Sequence, residues 1–440
     1  MAQTKHFRKY IFSLLSVAAL LFSLWEYWHR QLQAPLADAE RGGGIAMLGQ
    51  FGGHLTGNDF LHIYLGSRLL WHGYDPYDPQ TMLMAQQQLL GRGGMPYVYL
   101  PFTGFIMQPV SQLPYGDAFF CWFVFSHVLV LLTIPISLLA LRMPLSMRNL
   151  SFGLLILAFS HPLWRSVSAG QLNAPLMLGY PLFHLLLNAV HPALSGMLGA
   201  GLMLFKLSPG ILLVYLLWMR QWKQALWMAI WSVVFMLLAI SVFGWPRHLA
   251  FLPVLSQMGY GRSTWAEFGQ SFFSDPANQS FNSLFHHLFA PTPATHAPLL
   301  NLGAHFANAM TYAVSIILLG IVFAWTMKQR NTEDRLQHEL NYSLFIFLSL
   351  LLPSLMWDHY VIQLFFPVMI LYKGLQLRRS IALGILFLIG LALCTLPFNF
   401  WSETLRSGWR MLGMSIRLWG VLLLFAVNLA LARMQPAEKA

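Results

Sequence analysis

Residues 123–141 read "FVFSHVLVLLTIPISLLAL", a run with no charged side chain. An apolar segment of about 20 residues spans the hydrocarbon core of a bilayer as a helix. In lipid a helix also satisfies its own backbone hydrogen bonds, which an isolated strand or loop does not. Comparable runs recur through the 440 residues, which are 57% hydrophobic and only 9% charged. A membrane β-barrel would instead show short strands of alternating polarity, and that pattern is absent from the sequence. The expected fold class is therefore an all-α polytopic membrane protein.

The formal net charge of +11 invites a nucleic-acid reading, but the positions of the cations argue against one. Lys5, Arg8 and Lys9 precede the first apolar run, and Arg142, Arg148, Arg220, Lys223, Lys328, Arg330, Arg335, Arg378 and Arg379 fall in short loops between later ones. Arg433 and Lys439 lie in the tail. Short loops rich in lysine and arginine are the setting of the positive-inside rule. With these loops cytoplasmic, about twelve crossings account for the apolar lengths. They are expected near residues 10–28, 116–141, 150–163, 171–189, 193–207, 210–219, 224–243, 306–327, 340–355, 361–376, 381–397 and 414–432, in one integral-membrane domain covering 1–440. The fifth and sixth are short, and Pro209 between them suits a kinked or re-entrant pair. The N-terminal run ends in "WEYWHR" (residues 25–30), an aromatic belt rather than a small-residue cleavage site, so it reads as an uncleaved first helix. Cys121 and Cys394 both sit in apolar runs, and no disulfide is expected.

This topology puts the large loops, about 30–115 and 244–305, on the outer side, with smaller turns at 164–170, 206–209, 357–360 and 398–413. Asp38, Glu40, Asp59, Asp75, Asp78, Glu267, Asp275, Asp358 and Glu403 lie there, with Asp117 at the outer start of the 116–141 run, out of 15 acidic residues. Polar chemistry therefore collects on one face. "GNDFLHIY" (residues 57–64) starts an amphipathic helix expected to lie along that surface. Asn58 and Asp59 stand where a helix cap would be, so Asp59 is either a cap or a catalytic carboxylate. "WDHY" (residues 357–360) places Asp358 and His359 between apolar helices, as a plain turn or as functional ionisable groups near lipid. Lys206 in "MLFKLSPG" either snorkels to the interface or finds a partner. Gln171 and Asn173 are caps or donors to a hydroxylated ligand. "NQSFNSLFHHLF" carries Asn278, Gln279, Asn282, His286 and His287; adjacent histidines point different ways on a helix, so no metal site is expected there. Asn278-Gln279-Ser280 also matches a glycosylation sequon. No P-loop and no dinucleotide fingerprint is present, which argues against ATP-driven or nicotinamide chemistry.

Taken in order, "NDFLHIYLGSRLLWHGYDPYD", "YVYLPFTGFIMQPVSQLP", "GQLNAPLMLGYPL", "LSGMLGAGLMLFKLSPGILLVYLLWMRQWKQALW", "NQSFNSLF" and "WDHYVIQLFFPVMIL" resemble glycosyltransferase family 87. The resemblance runs from about Asp59 through the last helix. Leu100 stands where the family often has the first proline of a Tyr-Pro-Pro triplet, and Pro353 lies one residue further from Trp357 than that pattern has it. These are integral-membrane enzymes of the GT-C class that use polyprenyl-phosphate sugars, typically polyprenyl-phosphate mannose. The resemblance implies a GT-C-like bundle with short amphipathic helices in the outer loops. It implies a mannosyltransferase with an active site on the extracytoplasmic (periplasmic) face of the plasma or inner membrane. Its partners would be a polyprenyl-phosphate sugar donor, a lipid or glycan acceptor and membrane lipids, with no nucleic acid, no cofactor and no metal. It gives Asp59 the role of general base in an inverting transfer. His359 would orient or neutralise the donor phosphate, with Lys206 and Arg165 as fixed positive charge. Tyr64, Trp357 and Tyr360 would pack on sugar faces, and Gln171, Asn173, Asn278, Gln279 and Asp358 would complete the substrate site. The competing classes are a lipid-linked-glycan flippase or polymerase, which would carry ionisable groups through its spans, and a solute transporter, which would show internal repeats.

Overall fold

The computed structural model describes residues 2–33, 57–90, 94–189, 191–330 and 332–434. The polar linker around Asp38 and Glu40 and the tail cation Lys439 lie outside the described residues. Among the described residues the chain is all-helical, 76% helix with no strand. The helices that matter here are α1 (Ala2–Tyr27), α2 (Asn58–Trp71), α3 (Pro79–Leu90), α4 (Tyr115–Ala140), α5 (Met147–Ala158), α6 (His161–Ser168), α7 (Asn173–Asn188), α8 (Pro192–Phe205), α9 (Ile211–Trp218), α10 (Trp222–Phe243), α11 (Trp245–Ser256), α12 (Phe281–Phe289), α13 (Ala304–Lys328), α14 (Arg335–Leu351), α15 (Phe365–Arg378), α16 (Ile381–Thr395) and α17 (Ile416–Arg433).

Serine and aspartate start several of these helices. Ser146, Ser160, Ser280, Asp334 and Ser380 each accept a backbone N–H of the first turn of α5, α6, α12, α14 and α16. Such caps satisfy donors that have no intrahelical partner, and low-dielectric surroundings make an unsatisfied donor costly. At Ser160 the chain bends by 63° between α5 and α6. Gln31 braces the bend, its amide donating to the Leu157, Ala158 and Ser160 carbonyls at 3.0–3.2 Å.

The protein is an all-helical polytopic membrane protein. Five described helical segments are long and apolar enough to cross a membrane: Tyr115–Ala140, Trp222–Phe243, Ala304–Lys328, Asp358–Arg378 and Ile416–Arg433. The bent pair α5–α6 makes a sixth if it is one span. About twelve crossings are expected from the sequence, and five or six are seen at that length among the described residues. The expected spans at 171–189, 193–207, 210–219, 340–355 and 381–397 are helices of 16, 14, 8, 17 and 15 residues. They are short because polar and proline-containing breaks, such as Lys206–Pro209 and Leu352–Trp357, interrupt the apolar runs. Residues 210–219 are not separate from their neighbour in the way a full crossing would be: only Lys206 and Leu207 divide α8 from the short 3₁₀ turn Ser208–Gly210 that leads into α9.

α14 is buried almost all round from Leu336 to Leu351, and it is the centre of the bundle. α10 and α13 instead present Leu226, Val233, Leu237, Ile316 and Ile317 outward, as lipid-facing helices do. The two ends of the bundle differ. At one end Glu339, fully buried, binds Lys373 at 2.7 Å and Arg335 at 3.0 Å, and these cations donate onward to the last carbonyls of the α4 turn, Leu141 and Ala140. Arg378 and Asp334 pair beside them at 3.1 Å. The other end of α4 begins at Tyr115, whose hydroxyl donates to the Gly57 carbonyl just before α2. The basic loops and the start of α2 thus lie at opposite ends of one long helix.

Candidate functional site

The site is assembled where helices break. Gly57 caps α2 in the left-handed conformation (φ 53°), with its N–H on the Ser168 carbonyl at 3.0 Å, and the Phe60 N–H goes to the Ala169 carbonyl at 2.8 Å. Backbone from the end of α6 therefore serves the first turn of α2, and the Asp59 carboxylate is not spent on capping. Gly170 (φ 72°) packs against Phe60 so closely that a Cβ there would sit 2.4 Å from the Phe60 Cβ. This close approach brings the Gln171 amide to 2.7 Å from Asp59 Oδ2.

Beyond Asp59 lies His359, with Nε2 3.9 Å from Asp59 Oδ2 and Nδ1 3.5 Å from Asp358 Oδ1. Asp358 is fully buried and holds Arg165 at 2.7 Å. Arg165, Asp358, His359 and Asp59 thus follow one another, with the histidine between the two acids. On the other side of the ring, Lys206 donates to Asn173 Oδ1 at 3.0 Å and its ammonium sits 3.5 Å above the centre of the Tyr360 ring. Lys206 occupies the break after α8, outside both flanking helices. Burial pushes its ammonium down to about 7, with Asp59 opposing that shift.

Two cavities meet here. A polar one of about 310 Å³ is lined by Asp59, Arg165, Gln171, Asp275, Trp357 and His359 among others. An apolar one of about 370 Å³ is lined chiefly by Leu100, Leu204, Phe205, Leu207 and Leu255, with Lys206 in its wall. Leu207 and Leu255 are half-exposed at its rim. Tyr99, Trp357 and Tyr360 line both and form the partition between them.

The structure brings together Asp59, His359, Arg165, Gln171, Trp357, Asp358, Tyr360 and Lys206. It leaves four other expected site residues as internal struts. Asn173 is fully buried and both ends of its amide are used, by Lys206, Gln363 and Ser166. Asn278 donates to Ser354 and Phe272 carbonyls and accepts from Met356 and Ser280. Gln279 ties Pro276 and Met414 carbonyls to the Arg417 N–H. Tyr64 gives its hydroxyl to the Leu113 carbonyl. None of the four lines either cavity. Burial of Asn278 likewise closes the sequon to modification. The histidines of α12 serve the fold too: His286 meets the Asn282 carbonyl and His287 that of Ser274.

Among the residues of the polar cavity that the sequence reading missed are His62, stacked on Tyr99 (centroids 5.9 Å, 11° between planes), Thr264, Gln257 and Asp275. His62 lies one helical turn from Asp59 on α2, a spacing that would have found it. The other three lie in the irregular 257–275 segment, where no periodicity points inward. Burial raises the Asp275 carboxyl above its usual range, the nearby Asp358 charge adds to that, and the Ala277 N–H and Arg165 oppose it.

The arrangement offers a carboxylate, Asp59, whose Oδ1 has no partner among the described residues and faces a polar hollow. Fixed cations stand nearby, and an apolar hollow adjoins. That is what abstracting a proton beside an anionic, lipid-attached group would require. Comparison with known protein families decides the class. The model of glycosyltransferase family 87 matches residues 97–354. The chain belongs to glycosyltransferase family 87. It is therefore a membrane glycosyltransferase, with donor and acceptor substrates and membrane lipid as its surroundings. The match takes in Arg165, Gln171, Lys206 and Asp275 and stops short of both Asp59 and the 357–360 turn. No curated protein and no solved structure matches the chain.

Proposed function

We propose that this glycosyltransferase moves mannose from a polyprenyl-phosphate donor to a hydroxyl of a lipid or glycan acceptor, with inversion, on the extracytoplasmic face of the plasma or inner membrane. The observation that carries the reading is the junction of two unlike cavities at Tyr99, Trp357 and Tyr360. The apolar cavity suits the first isoprene units of the donor, with its rim of exposed leucines toward lipid. Lys206 and Arg165 then stand where the phosphate would meet the sugar. Asp59 takes the proton from the acceptor oxygen as that oxygen attacks the sugar C1 and the C1–O bond to phosphate breaks. The electron pair leaves with polyprenyl phosphate, and the cations meet the charge that develops there. His359 orients that phosphate. Gln171 holds Asp59 by one oxygen and leaves the other for the proton.

Sidedness is supported by the cations. The Arg335–Lys373–Arg378 end of the bundle is the basic end, which the positive-inside rule makes cytoplasmic, and the candidate site lies at the other. One large hydrophobic cluster that runs from Tyr27 to Ala432, beside a small second one at Phe102, Leu204 and Ala239, supports one domain. The shorter apolar helices Pro192–Phe205, Ser208–Trp218 and Ile381–Thr395 add apolar length to the five or six spans, which is compatible with a GT-C-like bundle of more crossings.

The test uses purified full-length protein in nanodiscs, offered polyprenyl-phosphate mannose, glucose and arabinose. Mass spectrometry follows lipid consumption and the glycosylated product. Asp59→Asn should lower turnover by roughly two to four powers of ten while donor binding persists. An Asp59→Asn protein as active as wild type would remove Asp59 from the mechanism. Transfer in vesicles from only the cytoplasmic side would overturn the sidedness.

A further inference from the structure

The polar cavity continues past Pro96, Gln257 and Thr264 into a neighbour of about 330 Å³ that the transfer just described leaves unused. Its character differs from both others. Asp75, Asp78 and Glu267 supply carboxylates, Tyr77 and Trp265 supply rings, and no lysine or arginine lines it. The turn around Asp75 and Asp78 consumes only part of their capacity. Asp75 Oδ1 accepts the Tyr77 N–H at 2.9 Å, and Asp78 Oδ2 accepts the Thr81 hydroxyl at 2.6 Å. Those Thr81 bonds hold the Asp78 carboxyl below its usual range, so it is an anion at neutral pH. The Gln80 N–H also bears on the Asp78 carboxyl, while Asp75 Oδ2 and the Glu267 carboxylate have no hydrogen-bond partner among the described residues.

Acidic turns alone would be a solvated surface. Thr264 changes that. It is 5% exposed, it lines both the polar and the acidic cavity, and its hydroxyl makes no hydrogen bond among the described residues. That hydroxyl faces the cavities with no partner among the described residues, so it is free to exchange a hydrogen bond with a ligand hydroxyl. Sugars offer the matching chemistry throughout: many O–H donors for carboxylates and an apolar C–H face for Tyr77 and Trp265.

We propose that this acidic cavity is the subsite for the non-reacting part of the acceptor, an uncharged, hydroxyl-rich glycan. Its carboxylates reject acceptors that carry phosphate or uronate next to the reacting sugar. That the bound glycan is the acceptor rests on the glycosyl-transfer reading above; the binding itself does not.

Full-length protein in nanodiscs, without donor, is titrated with mannotriose, maltotriose, chitotriose and tri-galacturonic acid, followed by saturation-transfer NMR. At least one neutral trisaccharide should bind, with tri-galacturonate at least roughly tenfold weaker. Thr264→Val should weaken the neutral ligand by roughly five- to tenfold, and Thr264→Ser should restore it. The combined Asp75→Asn, Asp78→Asn and Glu267→Gln variant should lose most of the discrimination. Absence of any neutral binding, equal binding of the uronate trimer, or an unaltered Thr264→Val protein would each overturn the proposal. Glycan binding without consumption of any polyprenyl-phosphate sugar would sink the transfer reading and leave the subsite standing. Consumption of the lipid donor without glycan binding would do the reverse.

Discussion

Replacing Arg165 by methionine tests whether the Asp358 carboxylate is an integral part of the site or an ornament of the turn. Asp358 is fully buried, its Oδ2 has no hydrogen-bond partner among the described residues, and its Oδ1 meets Arg165 at 2.7 Å. Methionine keeps much of the arginine's stem volume but removes the charge, leaving the carboxylate with the His359 ring at 3.5 Å and the more distant Arg417 charge. Breaking a buried pair by deleting one partner costs about 3–5 kcal/mol. The arginine side chain is 26% exposed, so some water reaches the pair and the lower end applies, about 3 kcal/mol. Asp358→Asn leaves a cation that partly reaches solvent and should cost less, about 1–2 kcal/mol. With neither charge present, Arg165→Met with Asp358→Asn should cost well under the sum, for a coupling of about 2–3 kcal/mol. The assay is denaturant unfolding of all four proteins in one detergent. Single costs that add to within about 0.5 kcal/mol would refute the reasoning.

The remaining predictions address the donor, the hinge and the second acid. Because burial sets the Lys206 ammonium near 7 and a phosphodiester stays a monoanion, donor binding above that pH must take up a proton. Affinity for polyprenyl-phosphate mannose should therefore fall roughly tenfold between about pH 6 and about pH 8. Lys206→Arg should abolish the slope, and a flat wild-type profile would discard the idea. Gly170→Ala combines a left-handed backbone with a Cβ driven into Phe60, for about 2–5 kcal/mol of destabilisation. Turnover should fall with it, because Phe60 adjoins Asp59; a variant with wild-type melting temperature would contradict the packing. Asp275 is raised above its ordinary 3.8, so the folded state binds its proton more tightly than the unfolded one does. That contribution is present below 3.8, fades as pH rises through the folded value, and is a net penalty at neutral pH. Asp275→Asn should melt higher than wild type at pH 7 and lose this acid-range slope. A lower melting temperature would show the carboxylate to be stabilising.

The membrane fold was legible because backbone polarity leaves a charge-free run such as 123–141 almost no alternative to a helix. The number of crossings was less so. Hydropathy sums over a window and does not see that Lys206–Pro209 or Leu352–Trp357 has already ended the helix. Asp59 was visible as an acid at a helix start, a place where a capping role and a chemical role look alike in sequence. What separates them is long-range: the Ser168 and Ala169 carbonyls take the N–H groups that a cap would have served. Asn278 and Gln279 misled for the matching reason. An amide can bind a ligand or strap two loops, and only the fold shows its bonds going to the Ser354 and Met414 carbonyls. Thr264, Gln257 and Asp275 carried no signal, since an irregular segment has no period from which to infer a facing side.

One physical rule explains why the polar groups converge. Inside a membrane helix each N–H and C=O is already paired, so a charged side chain there gains little and loses its hydration. At a break the backbone itself needs partners, water or polar side chains must be admitted, and ionisable groups become tolerable. Asp59 follows the left-handed Gly57, Arg165 and Gln171 flank the bend and Gly170, Lys206 sits in the gap after α8, and His359 lies in the 3₁₀ turn before α15. Each break taken singly is a structural concession. Because all of them fall at the end of the bundle away from the Arg335–Glu339–Lys373 cluster, they share one hollow, and the concessions become a site. It follows that closing a break should silence the chemistry without touching a polar residue. Replacing Ser208 and Pro209 with alanine, so that α8 can run on into α9, should carry the Lys206 ammonium away from Tyr360 and abolish donor binding while the helix content of the protein is kept or rises. Donor binding unchanged in that variant would mean that Lys206 is held by its side-chain partners alone and that the break has no part in the site.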